Sequence, residues 1–137
     1  MPLKILRISL IFVSLTGFFA IAVLLMPWKS AIEAYKLFGI DMPPTFEHPY
    51  MEYLTYLGAA LSVFVGALYF MAGAWPKKYA NLIVFLGWGL LFIGVVVLYH
   101  GLRLKLPPWP FYPDPIISFV FGVLILVCYR KVKDQLV

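Results

Sequence analysis

Four long runs of apolar residues alternate along the chain with short segments that hold nearly all of its prolines and charged residues. About 20 apolar residues are needed for a helix to cross the hydrocarbon of a bilayer, and tilt absorbs small differences in length. Each run therefore predicts one membrane-spanning helix, the last beginning where Asp114 can cap it and Pro115 can be its first helical residue. The predicted spans cover about residues 8–26, 53–74, 82–99 and 114–132.

The longest segment between two runs predicts a short helix outside the hydrocarbon. Ser30 and Glu33 have the spacing of a capping box, in which two side chains satisfy free N–H groups at the start of a helix. Gly39 can end the helix in a left-handed conformation. We expect an amphipathic helix over residues 30–39 that lies in the membrane interface, with Trp28 as its anchor.

The composition agrees with a chain that uses the bilayer as its solvent. Hydrophobic residues make up 64% of the sequence and charged residues 12%, whereas a soluble domain is about half apolar and about a quarter charged. We therefore predict an all-α membrane protein, with a single transmembrane domain of residues 1–137. It would fold as an antiparallel bundle of four transmembrane helices, with the short helix between the first two spans.

The basic residues lie at the ends of the apolar runs, which is the pattern that orients membrane proteins and gives no reason to expect nucleic acid as a partner. Both chain ends and the turn between the second and third spans share one face in this topology. That face holds one acidic residue, Asp134, and seven basic residues, namely Lys4, Arg7, Lys77, Lys78, Arg130, Lys131 and Lys133. The excess of positive charge predicts that both termini are cytoplasmic, in the inner membrane of a bacterium.

Small residues recur at intervals that place them on one face of a helix. In lipid, helices associate where small side chains let their backbones approach, because hydrophobic exclusion contributes little there. We expect these positions at contacts between spans or with another subunit, and a ligand groove lined by the glycines is the alternative. They are Gly58, Ser62 and Gly66 in the second span, Gly87, Gly94 and Gly101 in the third, and Ser118 and Gly122 in the fourth.

The middle of every predicted span lacks Asp, Glu, Lys, Arg and His. Because buried ionisable groups mark ion paths and proton relays, this pattern argues against an ion-coupled transporter and against haem held by mid-membrane histidines. The sequence also lacks a nucleophilic triad, a phosphate-binding glycine loop and a C-x-x-C motif, and Cys128 is its one cysteine. We predict no catalytic residue, no metal site and no cofactor.

Polar side chains converge only at the predicted outer ends of the spans. His48 and Glu52 share a helix face if Pro49 opens the second span, since residues four apart are neighbours on a helix. Histidine with carboxylates can bind a metal, hold a polar head group or transfer a proton. The alternative is that these side chains simply lie in water and head groups, as polar residues at span ends commonly do. The candidate cluster comprises His48, Glu52, His100, Arg103 and Asp114.

The chain resembles a group of small bacterial four-span membrane proteins. The resemblance covers most of the sequence from Met26 onward and rests on the segments "MPWKSAIEAYKLFGI", "WPKKY", "GVVVLYHGLRLKLPPWP" and "FGVLILVCYRK". Redox-accessory proteins of the DoxX type are a more distant likeness. The resemblance implies a four-span fold and no particular activity.

Together these features favour a non-enzymatic accessory or scaffold subunit, which packs against a larger membrane complex or against a second copy of itself. A site for a lipid, a quinone or a metal at the outer membrane face is the alternative, and a small transporter is least favoured. The expected partners are the lipid bilayer and other membrane subunits.

Overall fold

Long apolar helices make up most of the described part of the chain. The computed structural model describes residues 1–136, without the side chain of Pro110, so Val137 of the predicted domain lies outside the described residues. Within that range the chain forms helices and turns and no strand. Four helical stretches there are long and apolar enough to cross a bilayer, which confirms the predicted all-α, four-span class and indicates an integral membrane protein.

The helices follow one another with short connections. In chain order they are α1 (Pro2–Phe18), α2 (Ala20–Leu25), α3 (Trp28–Leu37), a 3-10 helix (Pro44–Glu47), α4 (Pro49–Ala74), α5 (Ala80–Arg103), α6 (Pro108–Phe111) and α7 (Pro113–Leu136). The first span combines α1 and α2, and the second, third and fourth spans are α4, α5 and α7.

The spans extend beyond the apolar runs that predict them. α5 continues to Arg103 and α7 to Leu136, whereas the predicted spans end near residues 99 and 132. Hydropathy marks only the part of a helix that lies in hydrocarbon, while basic residues continue the helix into water and interact favourably with its C-terminal dipole. α7 also begins at Pro113, so Asp114 lies in its first turn instead of at its cap.

Helix α3 begins two residues earlier than predicted, and its predicted capping box is wrong. The helix starts at Trp28, directly after Pro27, and no side chain caps it. Ser30 and Glu33 therefore lie inside the helix, as its third and sixth residues, and do not form a capping box. The local sequence contained the right spacing for a capping box, but contacts of Trp28 with distant residues set the start of the helix.

The end of α3 follows the prediction. Gly39 adopts a φ of +74°, which is left-handed backbone. The N–H groups of Gly39 and Ile40 donate to the carbonyls of Lys36 and Tyr35, at 2.9 Å and 3.0 Å. These two bonds form a Schellman motif, which suits glycine because a side chain would strain this conformation.

The backbone forms two compact units. The first unit consists of residues 1–13 and of residue 68 onward, and the second consists of residues 14–67. The first unit contains a core of buried residues drawn from α1, α4, α5 and α7. Those four helix segments therefore pack against one another within that unit.

A buried tyrosine joins α4 to α5 in the first unit. The Tyr69 side chain is 2% exposed, and its hydroxyl donates a hydrogen bond of 2.8 Å to the carbonyl of Leu86. Because hydrocarbon offers no hydrogen-bond partner, a hydroxyl at this depth must find one inside the protein. The turn between Ala74 and Ala80 is short, so α4 and α5 are antiparallel neighbours.

In the second unit, α1 meets α4 at two glycines. A Cβ built on Gly17 would lie 2.7 Å from the carbonyl oxygen of Ser62 and 2.9 Å from the Cα of Gly66. A Cβ built on Gly66 would lie 3.0 Å from the carbonyl oxygen of Ser14. The two backbones are thus in direct contact, which only small residues allow.

A buried serine beside this contact has a hydroxyl without a partner. Ser14 is 0% exposed, and its Oγ has no hydrogen bond among the described residues. A buried unpaired polar group costs about 1–3 kcal/mol. We expect Ser14→Ala to raise the free energy of unfolding by about 1 kcal/mol, measured by circular dichroism during unfolding in detergent.

Ser9→Ala is the control for this substitution. Ser9 is 2% exposed, but its hydroxyl donates to the carbonyl of Ile5 at 2.9 Å. Its replacement should leave stability unchanged or slightly lower. The same increase for both variants would show that removing a serine hydroxyl stabilises the helix for a reason other than the missing partner.

Candidate functional site

His48, the first member of the predicted polar cluster, caps helix α4. Its ring Nδ1 accepts a hydrogen bond of 3.2 Å from the backbone N–H of Tyr50, and its carbonyl accepts one of 2.9 Å from Met51. Pro49 follows as the first helical residue, where its missing N–H has no consequence. The ring therefore satisfies a free N–H group in the first turn, as a polar capping side chain does. The usual capping residues are Ser, Thr, Asp and Asn, so the residue type at position 48 does not predict this role.

The two acidic members of the cluster lie in the first turns of helices. Glu52 is half-buried in the first turn of α4, and Asp114 is exposed in the first turn of α7. A helix N-terminus carries a partial positive charge, so a carboxylate there contributes about 0.3–1 kcal/mol. Each acid thus lies where the helix dipole favours a negative charge, and this placement requires no ligand.

The two basic members lie at the opposite kind of helix end. His100 and Arg103 are in the last turn of α5, and both are exposed. Positive charge is favourable there because the helix C-terminus carries a partial negative charge. The His100 ring makes an edge-to-face contact with Tyr99, with ring centroids 5.1 Å apart. Among the described residues, no side-chain hydrogen bond fixes either His100 or Arg103.

The predicted cluster draws on both units. His48 and Glu52 belong to the second unit, whereas His100, Arg103 and Asp114 belong to the first. The last three lie at one end of the first unit, because α5 ends there and α7 begins there. No group of three or more His, Cys, Asp or Glu in the described part of the chain is arranged to hold a metal ion. What this end offers chemically is a mixed-charge surface that suits water and polar head groups.

The segment after α5 folds back onto that helix through Phe111. The Phe111 ring is buried and contacts Gly101, where even a Cβ would overlap it. α5 ends in the same motif as α3, since the N–H groups of Lys105 and Leu106 donate to Leu102 and Gly101 at 3.1 Å and 3.0 Å. Lys105 takes the left-handed position, with a φ of +53°. Gly101 therefore provides the space in which the returning chain is anchored.

The other small residues of the third and fourth spans lie between α5 and α7. A Cβ on Gly87 would lie 2.8 Å from the side chain of Leu126, and one on Gly94 would lie 3.2 Å from the Cβ of Ser118. A Cβ on Gly122 would lie 3.2 Å from the carbonyl oxygen of Gly87. All of these contacts are within the first unit, so these residues let α5 and α7 approach closely.

The small residues of the second span behave differently from one another. Gly66 and the backbone of Ser62 contact Gly17 of α1, whereas Gly58 is exposed and has no atom within 4 Å of the position of a Cβ. The sequence reasoning missed Gly17, which makes the closest of these contacts. The available signal was the pair of small residues Ser14 and Gly17, which are three apart and so share a helix face.

An aromatic clasp, formed by Trp28, Phe46 and Tyr56, orders the polar segment of the second unit. The Trp28 indole N–H donates to the carbonyl of Phe46 at 3.0 Å, and the two rings are nearly parallel, at 17°. The Tyr56 ring meets Trp28 edge-on at 6.0 Å, and its hydroxyl donates to the carbonyl of Met26 at 2.9 Å. Trp28 is only 9% exposed. Trp28, which the sequence predicts as an interfacial anchor, holds α3 to the start of α4.

A shallow groove of about 530 Å³ runs along the middle of α7. Its lining consists only of apolar side chains, namely Phe119, Val120, Val123, Leu124 and Val127. The groove can make hydrocarbon contacts and offers no side-chain hydrogen bond. At this position in a span it is complementary to lipid acyl chains.

Comparisons with protein-family models, with characterised proteins and with solved structures found no match. The contacts, exposure and charges described above are therefore the basis for a functional proposal.

Proposed function

We propose that this chain is a non-enzymatic accessory or scaffold subunit of a bacterial inner membrane, which packs through a helix face against a larger membrane complex or a second copy of itself. Both termini face the cytoplasm in this proposal. The support for that orientation is the excess of basic residues at the end of the molecule that holds the chain termini, since this is the bias that sets membrane topology.

The observation that carries the proposal is the environment of Gly58. This residue lies within α4, is exposed, and has open space where a Cβ would be. Glycine inside a helix costs about 1 kcal/mol relative to alanine. At Gly17 and Gly122 that cost is offset by close helix contacts, but nothing in the described chain uses the space at Gly58.

The side chains around Gly58 give this position the shape of a notch. Leu54 precedes it by one turn and Leu61 follows it by one turn, and these side chains are 39% and 56% exposed. The hydroxyl of Ser62 is bonded to the carbonyl of Gly58 at 2.9 Å, so it presents no free donor at the notch. A small residue between two leucines accepts a large side chain from a partner helix, which is how helices associate in lipid.

The alternative function, a site for a lipid, a quinone or a metal at the outer face, has weaker support. Its five polar residues are each accounted for by a helix end, as a cap or as a charge that complements the dipole. The likeness to small four-span bacterial membrane proteins agrees with either function, because it implies no activity.

The proposal predicts that bulk at Gly58 abolishes association without unfolding the chain. Gly58→Leu fills the notch, so the purified variant should lose its partner or its second copy while keeping the unfolding temperature of the unsubstituted chain. Association is measured by cross-linking in native membranes and by native mass spectrometry of the protein in mild detergent.

Ala60→Leu is the matched control. Ala60 is exposed on the same helix, but two residues along a helix turn the side chain by about 200°. This variant adds bulk on the other side of α4 and should associate normally. A strictly monomeric protein with no bound subunit would contradict the proposal, and so would normal association of Gly58→Leu.

A further inference from the structure

One end of the first unit gathers the basic residues of four helix segments. Leu6 near the start of α1, Ala72 near the end of α4, Ile83 near the start of α5 and Val132 near the end of α7 all belong to one buried core. These helix ends therefore lie side by side. The basic end comprises Lys4 and Arg7 of α1, Lys77 and Lys78 of the turn after α4, and the three basic residues at the end of α7.

The basic end has almost no acidic residues to balance its positive charge. All seven of its basic residues are exposed, and Asp134 is the only acid among them. At the opposite end of the same unit, Arg103 and Lys105 are accompanied by Asp114. The two ends of one packed unit thus differ strongly in charge, although both would meet a layer of lipid head groups.

Arg7 is held in place at the basic end. Its Nε donates a hydrogen bond of 3.1 Å to the carbonyl of Gly73, in the last turn of α4. A guanidinium has five N–H donors, so this bond leaves the four Nη hydrogens for other acceptors. Helices α1 and α4 also approach closely at Gly73, where a Cβ would lie 3.0 Å from the side chain of Ile11.

The turn that follows α4 adds two more cations beside this arginine. Lys77 and Lys78 come four and five residues after Gly73, and the Nζ of Lys78 lies 5.5 Å from the ring centre of Tyr79. Arg7, through its bond to Gly73, and the two lysines, through their place in the chain, therefore all lie near the end of α4. A fixed guanidinium is suited to two parallel bonds with a phosphate, and nearby lysines add positive charge without a fixed geometry.

We infer that the basic end is a docking surface for anionic phospholipid head groups of the leaflet that it faces, with Arg7 as the positioned phosphate-binding group. The basic residues flank the apolar parts of the spans, which places them at the depth of the lipid phosphates. A soluble acidic partner would meet this surface only through the head-group layer. The inference concerns a different surface from Gly58 and does not depend on the proposed function.

The test compares lipid binding by two kinds of variant. One loses two positive charges at the basic end of the unit, and the other loses two positive charges at the opposite end. The full chain is purified in detergent, and its affinities for phosphatidylglycerol and phosphatidylcholine are measured by native mass spectrometry. The unsubstituted chain should prefer phosphatidylglycerol. Arg7→Gln with Lys77→Gln should weaken phosphatidylglycerol binding about thirtyfold, at roughly fivefold for each basic residue removed.

The control is Arg103→Gln with Lys105→Gln, which removes the same charge from the opposite end and should bind phosphatidylglycerol normally. Arg7→Lys keeps the charge but loses the forked donors, so it should fall between the unsubstituted chain and Arg7→Gln. If loss of the Arg7 bond to Gly73 unfolds the chain, Lys77→Gln with Lys78→Gln tests the same surface with that bond intact.

Three outcomes would overturn the inference. One is equal affinity of the unsubstituted chain for the two lipids. Another is equal weakening in the variants of both ends, which would show an effect of net charge alone. The third is unchanged phosphatidylglycerol binding in the variants of the basic end together with loss of an acidic protein from native membranes, which would make that protein the occupant.

Discussion

Gly17→Ala is expected to destabilise the chain by about 3 kcal/mol, at the upper end of the range for overpacking substitutions. The added Cβ would lie 2.7 Å from the carbonyl oxygen of Ser62 and 2.9 Å from the Cα of Gly66. Both are backbone atoms of α4, so no change of rotamer can relieve the overlap. The helices would have to separate, and the contacts on either side of the crossing would be lost with them.

Because Gly17 lies where α1 and α4 are in direct contact, this loss of stability is larger than the loss from an ordinary overpacking substitution. In lipid, close packing and hydrogen bonds between helices replace the hydrophobic effect as the source of association. A separation of a few tenths of an ångström removes a large part of the dispersion energy at each contact. The gain in helix propensity from glycine to alanine is about 1 kcal/mol and offsets only part of the loss.

Gly58→Ala is the control for Gly17→Ala. It makes the same chemical change in a spanning helix, but nothing lies within 4 Å of the added atom. This variant should be as stable as the unsubstituted chain or slightly more stable. Unfolding in detergent, followed by circular dichroism, measures both. Equal stability of Gly17→Ala and Gly58→Ala would show that the α1–α4 contact does not need glycine.

The spans could be predicted because the information for them is local. Each apolar run contains its own evidence of length and hydropathy, and the bilayer imposes the helix. The ends of the helices could be predicted only approximately, because hydropathy reports the apolar part of a helix and not its full length. The apolar run of the third span ends at residue 99, but α5 continues to Arg103. The start of α3 depends on Trp28 binding a carbonyl 18 residues away, and no local pattern contains that contact.

The polar cluster shows where sequence reasoning stops. Their spacing indicated that His48 and Glu52 share a helix face if Pro49 opens the helix, and α4 does begin at Pro49. The spacing could not show that the His48 ring bonds to the backbone of that helix. Similarly, the spacing of Gly58, Ser62 and Gly66 resembles one continuous contact face. The structure uses only part of that face within the chain, because the partner helix α1 meets α4 at Gly66 and leaves Gly58 open.

Trp28→Ala is expected to release α3 from the start of α4, with a loss of about 3–5 kcal/mol from the stability of that segment. The substitution removes the stacking with Phe46, the edge contact with Tyr56 and the hydrogen bond to the Phe46 carbonyl. Outside the clasp, the described residues contribute little to holding this helix through side-chain hydrogen bonds. The remaining one in the clasp, from the Tyr56 hydroxyl to the carbonyl of Met26, lies before α3 begins.

Trypsin can measure this release, because α3 contains the exposed residues Lys29 and Lys36. Cleavage requires the helix to open, so its rate reports the free energy of local opening when opening is fast relative to cleavage.

Trp28→Ala should be cut at these lysines far faster than the unsubstituted chain. Trp28→Phe keeps a ring in the clasp and loses only the N–H donor, so it should fall between them, about 1 kcal/mol from the unsubstituted chain. Trp88→Ala removes a tryptophan that is 57% exposed on α5, and it should leave cleavage of α3 unchanged. Similar cleavage of Trp28→Ala and Trp88→Ala would mean that the clasp does not hold α3.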